Sequence, residues 1–155
     1  MKNIIIMLAL LTSPYLLCRL LAALQHRPFN SRTAAAWGAG ILFAFTGTGH
    51  FIQTEAFVLM LPEWVPQRTA LIYATGLLEY AIAAAFFWQR TQKMAAVAAI
   101  TVLIVFFPAN IYAALMRVPF SGNEWGAAYL LLRAPTQAFM IAWIYRFILK
   151  NRQAV

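Results

Sequence analysis

Five apolar stretches, joined by short polar connections, restrict this chain to folds whose exterior contacts lipid. They span residues 3–24, 35–53, 69–88, 94–116 and 127–148. Each has about the 20 residues that cross the hydrocarbon core of a bilayer. Because backbone polar groups in lipid must be hydrogen-bonded within their own segment, each stretch is predicted to be an α-helix. The alternating pattern of a transmembrane β-barrel is not seen in them.

The composition supports a membrane protein of one domain. Only 10% of the residues are charged, whereas soluble domains contain about 25%. The net charge of +8 is concentrated at the ends of the apolar stretches and forms no basic face. Anionic lipid headgroups are therefore the predicted partners of these charges, and nucleic acid is not.

The distribution of basic residues predicts the orientation. Eight lie on one side, namely Arg19, Arg27, Arg32, Arg90, Lys93, Arg146, Lys150 and Arg152. The other side has three, namely Lys2, Arg68 and Arg117. Since cytoplasmic connections are rich in basic residues, the chain is predicted to be N-out and C-in, with connections 54–68 and 117–126 facing outward. The first helix is expected to remain uncleaved, because cleavage would export Arg27 and Arg32. The membrane is expected to be a bacterial inner membrane.

The supply of metal ligands is small. Cys18 is the single cysteine, so an internal disulfide is excluded. His26 and His50 lie at opposite ends of one apolar segment, about 36 Å apart if helical, and cannot share a metal or a haem. No metal or haem is expected.

Glu79 is the most unusual residue, because it lies in the middle of an apolar stretch. It is about 15 Å along a helix that starts at Thr69, near the bilayer midplane. An acid there costs about 2.5–3.5 kcal/mol, so it must be protonated or paired. Arg133 and Gln137, four residues apart on one helix face, lie at a matching depth. A Glu79–Arg133 pair is therefore predicted.

Polar residues of the last four stretches fall in the same half of the bilayer. They predict an outward-opening pocket, lined by His50, Thr75, Glu79, Asn110, Arg133 and Gln137. Two interpretations stay open, since such residues also serve only to hydrogen-bond neighbouring helices. His50, taken alone, fits a position near the interface, where a histidine costs little free energy. Aromatic residues near the segment ends are predicted interfacial anchors, namely Trp64, Trp125, Tyr112 and Tyr129.

The segments TGTGHF, GLLE, FPANIYAAL and RAPTQAF, in this order, resemble the DoxX-like family of small polytopic bacterial membrane proteins. The resemblance covers residues 35–148 and implies a four-helix transmembrane bundle. Residues 1–34 are then an added N-terminal helix with its cytoplasmic connection, and residues 149–155 a basic cytoplasmic tail. The family positions that match are Glu79, Pro108, Asn110, Arg133 and Gln137. No cofactor-ligating set comes with them.

Roles within that family differ, and they include a quinone-linked oxidoreductase subunit, a maturation protein and a receptor chaperone. The first expectation is a subunit or accessory factor that binds a hydrophobic ligand such as quinone, with Glu79 as a proton carrier. The alternative is a membrane chaperone or assembly factor whose polar residues are structural. A small oligomeric transporter has less support. A protein partner or a homo-oligomer is expected beside the membrane lipids.

Overall fold

The computed structural model describes residues 2–150, and all of its regular secondary structure is helical. The six α-helices are α1 (Lys2–Leu24), α2 (Ser31–Ile52), α3 (Thr54–Leu59), α4 (Arg68–Phe87), α5 (Gln92–Leu115) and α6 (Ala127–Ile144). A 3₁₀ turn, Asn123–Trp125, precedes α6, and a π-helical turn, Tyr145–Leu149, extends it. Of the predicted basic tail, residues 151–155 lie outside the described residues, as does Met1.

The predicted helical class is confirmed, and each apolar stretch forms a long helix. The second helix begins earlier than predicted because Asn30 caps it, its side-chain oxygen accepting the N–H of Thr33 at 2.9 Å. The short helix α3 was not predicted; it lies in what the sequence indicated to be a plain connection, 54–68.

Among the described residues, four helices are long and apolar enough to cross a membrane. They are Lys2–Leu24, Arg68–Phe87, Gln92–Leu115 and Ala127–Leu149. The helix α2 is not among them, since it is rich in alanine, glycine and threonine. It packs mainly against α1 and α4. Small residues allow this close approach, so low hydropathy here accompanies burial among other helices.

The bundle has a solid half and a hollow half. Large side chains fill the solid half, at the end where α4 leads into α5; the fully buried ones there include Leu42, Phe86, Met140, Ile144 and Ile148. This is also the half in which the sequence places no polar cluster comparable with the predicted one. The predicted polar residues all lie in the other half, where the interior is not completely filled.

Gly47 and Gly76 bring α2 and α4 together at the border of the hollow half. A Cβ on Gly76 would lie 2.8 Å from the Cβ of His50, and one on Gly47 would lie 3.2 Å from the Gly76 carbonyl oxygen. Both distances are shorter than ordinary van der Waals contacts. The two helices therefore meet backbone to backbone beside His50.

Gly76→Ala is expected to lower the free energy of unfolding by about 1–2 kcal/mol, because the added methyl group must displace His50 and Phe51. Gly49→Ala is the matched control. Its methyl group would meet only Phe57 carbons at 3.5–3.6 Å, so better helix propensity should leave stability unchanged or raise it by up to about 1 kcal/mol. Thermal unfolding of both variants in detergent checks this. Equal stability of the two would contradict the close packing.

Candidate functional site

A cavity of about 470 Å³ occupies the hollow half of the bundle. It extends from the level of Leu42 and Met140 to the end formed by α3, the connection before α6 and the start of α1. Its volume lies within the roughly 300–1,000 Å³ of small-molecule sites. All six residues of the predicted pocket line it, namely His50, Thr75, Glu79, Asn110, Arg133 and Gln137.

Glu79 lies beside His50, and the predicted Glu79–Arg133 pair is wrong. His50 Nε2 is 3.6 Å from Glu79 Oε1, and each residue is only 5% exposed. Glu79 follows Gly76 by less than one helical turn, so the two residues lie on the same side of α4. Gly76 packs against α2, and Glu79 therefore faces α2 and not α6. His50 lies in the last turn of α2, and its side chain is buried against α4.

The contacts of His50 Nδ1 assign its hydrogen. Nδ1 lies 3.2 Å from the Ile72 carbonyl oxygen and 3.1 Å from Thr75 Oγ1, while the Thr75 hydroxyl itself donates to the same carbonyl at 2.9 Å. Since a carbonyl oxygen can only accept, Nδ1 carries a hydrogen. The Phe57 ring stacks on the imidazole, with centroids 4.3 Å apart. His50 is thus held in one orientation, with Nε2 aimed at Glu79.

One proton on the pair of His50 and Glu79, whose Nε2 and Oε1 atoms are 3.6 Å apart, would leave it without a net buried charge. The proton gives either an imidazolium beside a carboxylate or an imidazole beside a carboxylic acid. Burial penalises an isolated charge heavily, and both arrangements are neutral as a pair. Either arrangement therefore buries no net charge at the cavity wall.

Arg133 lines the cavity without an acidic partner among the described residues. Its Nη1 is 3.8 Å from the sulfur of Met7, and its Nε is buried with no hydrogen-bond partner. Tyr129 lies one turn earlier on the same face of α6, is 4% exposed and has an unpartnered hydroxyl. Tyr129 was predicted to be an interfacial anchor, and that is wrong. Its spacing of four residues from Arg133 was the signal of its true position.

Asn110 and Gln137 are satisfied by backbone carbonyls. Asn110 Nδ2 donates to the Phe106 carbonyl at 3.0 Å within α5. Gln137 Nε2 donates across to the Leu103 carbonyl at 2.7 Å, which joins α6 to α5. Gln137 therefore joins two helices, whereas the Asn110 bond stays within α5, and both amides leave less hydrogen-bonding capacity for the cavity than Glu79 and Arg133 do.

Four buried polar atoms without a hydrogen-bond partner belong to residues that line the cavity. They are Glu79 Oε2, Arg133 Nε, the Tyr129 hydroxyl oxygen and Asn123 Oδ1. A buried polar group left unpaired costs about 1–3 kcal/mol. This set contains both donors and acceptors, so it suits a molecule that presents both. Aromatic side chains supply much of the remaining wall, namely Phe43, Phe45, Phe57, Phe106 and Phe120.

The first helix is part of this wall. Asn3 and Met7 line the cavity, and Asn3 Nδ2 donates to Ser121 Oγ at 3.2 Å, which ties the start of α1 to the connection before α6. The sequence indicated that α1 is an addition to a separate core. Apolar patterning could not show this contribution, because Asn3 and Met7 match no motif.

These features define a helical membrane protein with a polar, aromatic-walled cavity in one half of its bundle. Among residues 2–150, no three His, Cys, Asp or Glu side chains are grouped to hold a metal ion. The chain belongs to the family described as Domain of unknown function (DUF8561), whose model matches residues 39–148. The match begins inside α2, so α1 lies outside it. No curated protein and no solved structure matches this chain.

Proposed function

We propose that this chain binds a hydrophobic ligand with a polar head, such as a quinone, as a subunit or accessory factor of a larger system. The observation that carries the proposal is that two residues lining one cavity have polar atoms without a partner, namely Glu79 Oε2 and Arg133 Nε. A purely structural network would leave neither group unpartnered. Here Arg133 has no acidic partner among the described residues, Glu79 Oε2 has no hydrogen-bond partner, and both residues line a space of ligand size.

A quinone head matches this lining. Its carbonyl oxygens need donors, and Arg133 Nε and the Tyr129 hydroxyl are unpartnered donors. Its reduced form needs acceptors for two hydroxyl hydrogens, and Glu79 Oε2 is an unpartnered acceptor. The His50–Glu79 pair exchanges a proton at the same wall. In this role the chain only binds the quinone head and transfers protons, and a partner protein would supply the electrons.

The proposed setting is a bacterial inner membrane, crossed five times, with the N-terminus outside and the C-terminus in the cytoplasm. The helix α2 is the fifth span: its 22 residues give about 33 Å, enough to cross the hydrocarbon core. The basic residues support the orientation, and the cavity then opens outward. A relation to the DoxX-like family, whose type member belongs to a quinone-linked complex, agrees with this assignment.

The second candidate is a chaperone or assembly factor in which the polar residues only hold helices together. The amide of Gln137 favours it, since its bond to the Leu103 carbonyl fixes α6 against α5. The two candidates differ in whether function requires a cavity that is open to a ligand. A variant that fills the cavity and keeps every polar group separates them.

Ala109→Phe is that variant, because Ala109 lines the cavity and carries no polar group. We expect mass spectrometry of extracted small molecules to find a quinone or a related amphiphile on the purified native protein and not on Ala109→Phe. Val97→Phe adds the same ring to the same helix at a position 55% exposed, and should retain the ligand. Bulk phospholipid alone on all three proteins would overturn the proposal and favour the assembly factor.

A further inference from the structure

A second concave space lies on the surface of the bundle between α5 and α6. This groove has a volume of about 260 Å³ and is lined by Ile104, Phe107, Ala134, Gln137, Ala138 and Ile141. Apart from Gln137, its lining is entirely apolar. Ala134 and Ala138 leave room where larger side chains would close the surface.

The groove and the cavity lie on the two sides of one helix contact. On α5, Leu103 and Phe106 line the cavity, whereas the next residues, Ile104 and Phe107, line the groove. Gln137 lines both spaces and is 6% exposed. Its hydrogen bond to the Leu103 carbonyl, at 2.7 Å, crosses from α6 to α5 at this point. One amide side chain therefore stands between the two spaces.

The groove lies at the middle of the membrane-spanning length. Ile104 is about 18 Å along α5 from Gln92, and Ala138 is about 16 Å along α6 from Ala127. Ile104 is 57% exposed, so this face contacts the hydrocarbon core. At that depth the available occupant is a hydrocarbon chain, because water and headgroups are excluded.

Both helices carry a proline close to the groove. Pro108 follows Phe107, and Pro135 follows Ala134. Each proline lacks the N–H that would bond the carbonyl four residues earlier, and its ring clashes with that carbonyl, which weakens the helix there. For Pro108 this carbonyl belongs to Ile104, in the groove wall. Both helices are thus weakened by a proline close to the height of Gln137.

We propose that the groove holds the hydrocarbon tail of the molecule whose polar head occupies the cavity, with Gln137 where head and tail meet. The inference rests on the proposed function and narrows the ligand to one class: a single-headed amphiphile with a long tail, such as a polyisoprenoid quinone. Such a ligand enters sideways from the bilayer, between α5 and α6.

The test compares two probes on the native protein in lipid nanodiscs: a benzoquinone with a single isoprene unit, and the same head with a long polyisoprenoid tail. Ala138→Trp fills the groove and leaves every cavity residue unchanged. We expect it to weaken binding of the long-tailed probe at least about tenfold, and that of the short probe by less than about twofold. Leu131→Trp, on α6 at a position 78% exposed and outside both spaces, should change neither.

Equal binding of the long-tailed probe to Ala138→Trp and the native protein would overturn the tail assignment, and would leave the groove to an ordinary phospholipid chain. If the native protein bound neither probe, the proposed quinone-type ligand would fail, and the tail assignment with it. Binding of the short probe also reports correct folding of each variant. If Ala138→Trp no longer bound the short probe, the smaller substitution Ala134→Leu would be tested in its place, again by comparing the long-tailed probe with the short probe.

Discussion

His50→Leu is expected to destabilise the bundle by about 2 kcal/mol, and adding Glu79→Leu is expected to restore most of that loss. Removing His50 leaves a buried acid without its partner, which costs about 3–5 kcal/mol in a fully buried pair. The expected loss is smaller here because Nε2 and Oε1 are 3.6 Å apart, which is longer than a hydrogen bond. In the double variant no polar group remains to be buried unpaired.

A four-corner cycle of unfolding in mixed micelles of increasing denaturing detergent measures this coupling. Glu79→Gln is the conservative control, because its amide can still donate to His50 Nε2, and we expect it to cost about 1 kcal/mol or less. If the costs of the two leucine substitutions simply added, His50 and Glu79 would not act as a pair. The stable double variant should also fail to retain ligand, which a structural role would not require.

Arg133→Met is expected to weaken ligand binding about ten- to hundredfold, while stability stays unchanged or rises. A hydrogen bond to a charged group contributes about 1.5–3 kcal/mol, and every 1.4 kcal/mol is a factor of ten in affinity. Stability should not fall, because Arg133 has no acidic partner to lose and its Nε is unpartnered. Methionine keeps the apolar stem against Met7.

Ligand-induced thermal stabilisation in detergent, titrated with the short-tailed quinone, measures that affinity. Arg133→Lys should give an intermediate loss, since it keeps the charge and lacks the planar fork. Arg117→Met removes an exposed cation outside the cavity and should bind normally. Normal affinity together with a clear loss of stability in Arg133→Met would assign the guanidinium a structural role.

The depth of a residue along its helix could be predicted from the sequence, but its direction around the helix could not. Glu79 and Arg133 share a depth, and this suggested the wrong pair. The direction of each side chain depends on which helices pack against its own helix. Gly47 and Gly76 bring α2 against α4, so Glu79 faces α2. The six polar residues nevertheless line one cavity, because depth alone separates the hollow half from the solid half.

Local signals outside the apolar pattern account for the other differences. Tyr129 near a segment end matched the composition of an interface, yet its spacing from Arg133 places it on the cavity face. The short helix α3 carries Phe57 to His50, and no periodicity over six residues could predict that contact. The contribution of α1 depends on tertiary packing, since Gly38 of α2 lies directly against the Leu11 carbonyl.

The position of α1 has an evolutionary consequence. The family match covers residues 39–148, but Met7 and Asn3 complete the wall of the cavity from outside it. A protein that kept the matched region and acquired a different first helix would keep the acid, the histidine and the arginine, yet enclose them differently. Selectivity would then diverge by replacement of a terminal segment, while the chemistry of the interior stayed unchanged.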